Sequence, residues 1–297
     1  MMAHPGSGSA GASRAGGARG TPGDTYLRRR EQSENFPVAL KVLPRELRTH
    51  LRAVYDVARV IDDLGDRDGG DRTAGLLAFR ADLATVWQGG APQANVLRRL
   101  VPTVQARSLS PKPFDDLVKA NLQDQRVDRY ATYAELRAYC ALSADPVGRI
   151  VLAIFGASTP RAVQLSDRAC TALQLIEHWQ DVAEDRRAGR VYLPQEDLAA
   201  FDVPETDLDL PTTSGRLRRL MAYETERAEK LLDSGDHLLG MLRGWARLAV
   251  AGYVAGGRAA IDRLRESNWA IMSGSPGISR LAVVRHLSRG LMRRAVS

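Results

Sequence analysis

The sequence predicts an all-α protein, folded as a single-domain helical bundle. Apolar residues recur at spacings of three and four through most of the chain, which is the period of an amphipathic helix. Alanine, leucine and arginine are abundant, β-branched runs are short, and no strand or hairpin signal is found. The 297 residues can bury a sizeable core. Residues 1–24 are mainly Gly, Ala and Ser and are predicted to be a disordered extension, followed by one helical domain at 25–297.

The helices can be placed in order from their periodicity and from proline. Pro44 suits the first position of a helix, whose buried stripe is Leu47, Leu51, Val54, Ala58 and Ile61. Helices are then expected at about 73–88, 93–106, 111–130, 132–155, from Arg161 through a second acidic motif, 215–243, 245–271 and 278–296. Pro146 must interrupt or kink its segment, because proline removes a helix hydrogen bond. Residues 65–72 are expected to form a mobile polar loop, and 199–214, with four acids and two prolines, a solvated loop.

Composition and charge limit the kinds of partner. The formal net charge of +7 suits a diphosphate, a lipid headgroup or a nucleic acid. Nucleic-acid binding is not predicted, since the arginines are dispersed and no recognised module is present. No apolar run approaches the roughly 20 residues of a membrane span, and the N-terminal stretch lacks the apolar centre of a secretory signal. Cys140 and Cys170 have no ligand spacing and are expected to be reduced, buried thiols in a cytoplasmic protein.

Two acidic motifs carry the functional prediction. The first is D-D-x-x-D, from Asp62 to Asp66, on a helix face that also carries Tyr55 and Arg59. The second motif places its side chains on one face at spacings of three and four: Gln174, Glu177, Asp181 and Asp185. Like charges so close together repel unless cations lie among them. Mg²⁺ binds through a few carboxylates plus substrate phosphates, so two such clusters across a cavity would suit it.

Simpler interpretations exist for most of these residues. Charged residues at helical spacing usually mark a solvated surface. Arg59 could pair with Asp62 or Asp63 along its own helix, and Tyr55 and Tyr192 could be core tyrosines. His178 lies one position off the acidic stripe, and no role is assigned to it.

Taken in order, the motifs resemble those of the squalene/phytoene synthase family over about Ser33 to Trp269. The resemblance rests on Y-x-x-x-R-x-x-D-D-x-x-D from Tyr55, Y-x-x-x-x-E-L-x-x-Y-C from Tyr130, and Q-L-x-x-x-x-x-D-V-x-E-D from Gln174 with R-V-Y-L-P after it. The runs 33–39 (SENFPVA) and 189–198 (GRVYLPQEDL) resemble the hydroxysqualene synthases of the hopanoid pathway.

The resemblance implies the isoprenoid (terpenoid) synthase fold, with a central apolar cavity and the two aspartate motifs facing each other across its mouth. It implies that Mg²⁺ is held by Asp62, Asp66, Asp181 and Asp185. Ser33, Arg59 and Arg190 would contact the substrate diphosphate, and Tyr55 and Tyr192 would lie beside the departing group. Phe36, Asp124 and Gln174 would line the cavity.

The implied reaction is the ionisation of presqualene diphosphate and capture of the cation by water, giving hydroxysqualene and diphosphate. NADPH is not expected. The alternatives are head-to-head condensation of two farnesyl or geranylgeranyl diphosphates to presqualene diphosphate, squalene or phytoene, and a non-catalytic relative that acts in assembly. The chain departs from the family pattern at Glu177, where relatives have asparagine, at Gln180, where many have arginine, and at Gly65, which predicts a loose helix end. No role is assigned to Tyr253 or Arg258.

The last predicted helix, 278–296, has an apolar side and a basic side. Ile278, Leu281, Val284, Leu287 and Leu291 form the first, and Arg285, Arg289 and Arg293 follow at spacings of four. This pattern leaves two alternatives: peripheral contact with an anionic membrane, such as the inner face of the plasma membrane, or packing of the apolar side on the body of the protein.

Overall fold

The computed structural model describes residues 42–66, 70–273 and 279–292, and this part of the chain is helical with no β-ladder. Its α-helices are α1 (Arg45–Gly65), α2 (Arg72–Thr85), α3 (Asn95–Arg107), α4 (Pro111–Gln123), α5 (Tyr133–Ser143), α6 (Asp145–Ile154), α7 (Pro160–Arg187), α8 (Gln195–Ala200), α9 (Gly215–Leu232), α10 (Ser234–Met241), α11 (Gly244–Glu266) and α12 (Arg280–Met292). Short 3₁₀ helices cover Glu205–Asp209 and Ile271–Ser273. The predicted extension at 1–24, Ser33, Phe36, the centre of the 65–72 loop, Ile278 and Arg293 lie outside the described residues.

Most predicted helices are found, and the differences have local causes. The chain breaks at Ala144 between α5 and α6, so that Pro146 occupies the first turn of α6, where a missing N–H costs nothing. The predicted 215–243 helix is two helices that meet at Asp233.

The 199–214 segment is not a solvated loop. It contains the end of α8 and a 3₁₀ helix, and Leu208 is 1% exposed. Its acids pair with arginines from elsewhere: Asp207 accepts two hydrogen bonds from Arg216, at 2.6 and 2.7 Å. The prediction of a solvated loop was wrong because composition gives the number of acids in the segment but not the arginines, outside the segment, that pair with them.

Two buried clusters form the core, and α6 belongs to both. Ile150, Val151 and Ile154 pack with α1 to α4, whereas Leu152 packs with the cluster built from α5, α7 and the later helices. The long helix α7 contacts α5, α6, α9, α10 and α11, and its Trp179 is completely buried. None of the described helices is both long enough and apolar enough to cross a bilayer.

Two connecting segments, 128–131 and 189–196, run side by side and position the residues that follow α7. Val191 N–H donates to Asp128 C=O at 2.9 Å, and Gln195 and Glu196 donate to the backbone of 130–131 at 2.9 and 3.0 Å. Arg129 and Val191 form an isolated parallel bridge. The segment after α7 is therefore held against the segment after α4.

Candidate active site

The first acidic motif occupies the last turn of α1, and neighbouring side chains fix its carboxylates. Asn121 of α4 donates to Asp62 Oδ1 at 3.2 Å. Arg59 contacts Asp63 Oδ1 from Nε at 3.1 Å and from a terminal nitrogen at 3.0 Å. Arg59 therefore pairs with an acid of its own helix, as the simpler interpretation of the sequence had it. Tyr55 is half-buried on the same helix, about two turns before Asp62.

Gly65 ends α1 in a tightly packed position, which corrects the prediction of a loose helix end. A Cβ on residue 65 would lie 2.2 Å from Asn121 Oδ1, which is too close for any side chain. Gln125 donates to the Gly65 carbonyl at 3.2 Å. A larger residue at position 65 would therefore displace the Asn121 side chain, which binds Asp62.

The second acidic motif lies on the C-terminal half of α7, with its acids crowded together. Burial, and then the charges of Glu177, Asp185 and Glu184, raise the pKa of Asp181 to about 6. Such crowding disfavours the charged form unless a cation is present. Arg186 does not relieve it, because its guanidinium is engaged with Glu205 and with Asp209 at 2.7 and 2.8 Å.

Arg190, three residues after the end of α7, contacts the second motif through its backbone, since its N–H donates to the Asp185 carbonyl at 2.8 Å, and the first motif through its side chain. Its guanidinium contacts Asp66 Oδ1 at 3.4 Å. Burial alone would lower the pKa of Arg190, but Tyr192, Asp124 and Asp66 around it hold that pKa above its usual value. The guanidinium therefore stays charged beside Asp66 of the first motif and near Asp124.

An aromatic wall lies beside this contact. The rings of His178 and Tyr192 stack with their centroids 3.7 Å apart, and Tyr130 and Tyr139 continue the wall. His178 also contacts Gln174 at 3.2 Å and Asp185 at 3.7 Å. No role is predicted for His178 from the sequence, although its spacing of four from Gln174 and seven from Asp185 indicates that the three side chains share a helix face.

Asp124 lies where α4 ends, between the wall and the basic contact. Tyr139 donates to its Oδ2 at 2.7 Å, while its Oδ1 is buried and has no hydrogen-bond partner in the described part of the chain. Burial raises the pKa of Asp124, and the charge of Asp66 raises it further. The hydrogen bond from Tyr139 and the charges of Arg190 and His178 lower it, but the net shift is upward. A buried acceptor without a partner is costly, so this oxygen is available to a hydrogen-bond donor that enters the site.

The residues fit a hard divalent cation that is shared with a phosphate ligand. Within residues 42–66, 70–273 and 279–292, no three His, Cys, Asp or Glu side chains are grouped so that they could hold a metal ion by themselves. Mg²⁺ keeps several waters and takes further oxygens from substrate phosphates, so it does not require such a group. The carboxylates of both motifs, with the crowding that raises the Asp181 pKa, provide hard oxygen donors of this kind.

Comparison with known proteins identifies the family of this chain. A model of the squalene/phytoene synthase family matches residues 29–286. The chain belongs to the squalene/phytoene synthase family. A hydroxysqualene synthase from Rhodopseudomonas palustris is 34% identical over 212 residues, 70% of each chain. A presqualene diphosphate synthase from the same species is 31% identical over 69% of this chain and 74% of its own.

Solved structures agree with the family assignment. A squalene synthase from Alicyclobacillus acidocaldarius is 38% identical and matches with a TM-score of 0.77, covering 83% of this chain and 94% of the other. The predicted all-α isoprenoid synthase fold is thus confirmed, and the protein is an enzyme of the squalene/phytoene synthase family, whose members bind prenyl diphosphates. The roles assigned to individual site residues stay predictions.

Proposed function

We propose that this squalene/phytoene synthase family enzyme converts presqualene diphosphate and water into hydroxysqualene and diphosphate. The contact of Arg190 with Asp66 carries the chemical part of the proposal, because it places a cation that can bind phosphate oxygens beside the first acidic motif, while the backbone N–H of Arg190 is held by the Asp185 carbonyl of the second. The choice of product is supported by the hydroxysqualene synthase relative.

Departure of the diphosphate is the first step. Bound Mg²⁺, held by Asp62 and Asp66 on one side and Asp181 and Asp185 on the other, would neutralise the charge that develops on the leaving group. Arg190 exchanges Asp66 for phosphate oxygens, which an arginine can bind in a bidentate manner. Arg59 donates to the same group, with Asp63 fixing its direction. The C–O bond breaks and its electron pair leaves with the diphosphate.

The aromatic wall then faces a carbocation. Burial holds the pKa values of Tyr130, Tyr139 and Tyr192 above their usual range, so these side chains stay neutral hydroxyls. Their ring faces attract a cation without offering it a phenolate that could trap it. Water finally forms a C–O bond to the rearranged allylic cation and loses a proton, so the products are hydroxysqualene, diphosphate and one proton.

A second candidate, the head-to-head condensation of two farnesyl diphosphates to presqualene diphosphate, is favoured by the presqualene diphosphate synthase relative. The two candidates differ in substrate. The protein is incubated with Mg²⁺ and either presqualene diphosphate or farnesyl diphosphate in ¹⁸O-labelled water, and the products are identified by mass spectrometry. We expect ¹⁸O-hydroxysqualene from presqualene diphosphate. Turnover of farnesyl diphosphate alone would establish the second candidate instead.

Arg190 can be tested with a matched control three residues earlier in the chain. Arg190→Gln is expected to lower kcat/KM by about a hundredfold or more, because it removes a charged donor to the leaving group. Arg187→Gln changes an exposed arginine that bonds to its own helix, at the Ala183 carbonyl, and should leave kcat/KM nearly unchanged. Equal losses in the two variants would contradict the assignment.

A further inference from the structure

The C-terminal end of the protein carries an unusual concentration of exposed apolar side chains. Ten large hydrophobic side chains are exposed in the described part of the chain, and six of them lie within 241–245 and 281–292. These six are Met241, Trp245, Leu281, Val284, Leu291 and Met292. A cluster of exposed apolar groups on one surface marks an interaction site more often than scattered single ones do.

Helix α12 has an inner and an outer face, and only the inner one is packed. Leu287 packs on the core cluster of α7 to α11, and Arg285 and His286 contact Asp262 of α11 at 2.6 and 2.7 Å. On the outer face, Leu281 is 79% and Val284 56% exposed. The apolar side predicted from the sequence is therefore divided: Leu287 packs on the body, and the other described members face solvent.

The start of α11 extends this outer face. Arg247 donates to the Leu291 carbonyl at 3.2 Å, so the N-terminus of α11 lies beside the C-terminus of α12. Trp245, on the first turn of α11, is 44% exposed, as is Met241 just before it. Tryptophan is the side chain most typical of a lipid–water boundary, because one edge is polar and the rest apolar.

Both segments are basic. Residues 279–292 contain three arginines and no Asp or Glu, and Arg243 and Arg247 lie at the start of α11. Arg280 and Arg289 are exposed on α12 and flank its outer apolar strip. Arginine stems can lie along an apolar surface while the guanidinium reaches outward to anions.

We propose that this surface, formed by Met241, Trp245, Arg280, Arg289 and the outer face of α12, docks on an anionic lipid bilayer. Apolar side chains flanked by arginines and a tryptophan suit the boundary between acyl chains and anionic headgroups. A second copy of the chain is a poorer partner, since a symmetric contact would place like charges against each other. A nucleic acid would use the arginines and leave the apolar strip in water.

Vesicle co-sedimentation tests the proposal with the full chain. Vesicles of phosphatidylcholine alone are compared with vesicles that also contain phosphatidylglycerol. The apolar variant is Leu281→Ser/Met292→Ser and the charge variant is Arg280→Gln/Arg289→Gln. Their matched controls on α2 are Leu77→Ser, 46% exposed, and Arg72→Gln, also exposed. Circular dichroism verifies that all variants keep their helices.

We expect the unchanged protein to sediment with the anionic vesicles and not with phosphatidylcholine alone, and to be released at high salt. Each surface variant should lower the partition coefficient by about tenfold or more, whereas the two controls should bind like the unchanged protein. Failure to bind the anionic vesicles, equal binding to both vesicle types, or equal losses in the controls would overturn the proposal. So would a dimer in sedimentation velocity that Leu281→Ser/Met292→Ser dissociates.

Discussion

Asn121 has two functions at the entrance to the site: it donates to Asp62 at 3.2 Å, and it fills the space that a side chain at residue 65 would need. The first acidic motif is thus positioned by a residue outside it. A change at Gly65 should act on Asp62 through Asn121, since the amide can swing away more easily than two helices can separate.

Gly65→Ala is expected to displace the Asn121 amide and to weaken the binding of Mg²⁺ with diphosphate, with only a small change in the Tm of the protein alone. The measurement is the increase in Tm on adding Mg²⁺ and diphosphate together, and we expect this increase to be reduced to about half or less, by an effect on the order of one lost hydrogen bond. Diphosphate without Mg²⁺ should produce little stabilisation.

Asn121→Ala provides the control for that explanation. It removes the same hydrogen bond and should reduce the stabilisation alone, and adding Gly65→Ala to it should cause no further loss, as expected for two changes that act on one contact. Additive effects in the double variant would show that Gly65 acts by another route.

At the scale of elements, Arg129 is the residue that connects the segments 128–131 and 189–196 to the surface around them. It donates to the Gly189 carbonyl at 2.7 Å and to Glu205 at 2.8 to 3.1 Å, and hydrogen bonding from Arg129 is the main cause of the lowered pKa of Glu205. Gly189 directly precedes Arg190, so Arg129 supports the backbone at the residue that is proposed to bind phosphate.

Arg129→Ala is therefore expected to lower kcat/KM about tenfold by loosening Arg190 and Tyr192, a loss on the order of one charged hydrogen bond. Steady-state kinetics and circular dichroism would measure the change. Arg216→Ala is the matched control, because Arg216 makes a similar pair with Asp207 without contacting 189–196. If Arg216→Ala reduced activity as much, general loosening of the surface would explain both.

At the scale of the whole molecule, a few buried acids set how stability depends on pH. Burial raises the pKa of Glu224 to about 8 and that of Asp145 to about 7. Glu224 has no exposed surface and lies 3.4 Å from Arg227, which also binds Asp197. The folded state keeps a proton on Glu224 over a pH range in which the unfolded chain, with a pKa near 4.5, has lost it.

The sign follows from proton linkage. Where the folded state binds the extra proton, the free energy of unfolding falls as pH rises. For Glu224 this range is about pH 4.5 to 8. One group can lower the free energy of unfolding by at most about 1.4 kcal/mol per pH unit. Glu224→Gln should flatten this slope in urea unfolding measured from pH 5 to pH 8. Glu226→Gln, an exposed neighbour whose pKa is lowered by its hydrogen bond to Lys230, should leave the slope unchanged. A slope in Glu224→Gln as steep as that of the unchanged protein would contradict the explanation.

Local features of this fold could be read from the sequence because they depend on neighbours in the chain. The break before Pro146 follows from its missing N–H, and the pairing of Arg59 with Asp63 follows from a spacing of four. The spacing of Asp181 and Asp185 likewise predicted the crowding that raises the Asp181 pKa.

Features that join distant segments could not be read in this way. Nothing near Asp62 indicates that Asn121 will bind it, and nothing near Asp209 indicates the pairing with Arg186 that makes 199–214 an ordered part of the fold. His178 stacks on Tyr192 only because the chain turns back after α7. These contacts depend on tertiary packing, which hydrophobic periodicity does not specify.

The contact between Asp66 and Arg190 joins residues 124 positions apart, which affects the order in which parts of the chain fold. The entropy cost of so distant an encounter is recovered only after α1 to α7 have docked. During refolding from urea, we expect helical signal to return before the binding of diphosphate, and a chain emerging during synthesis cannot form the Asp66–Arg190 contact until the segment after α7 has been made.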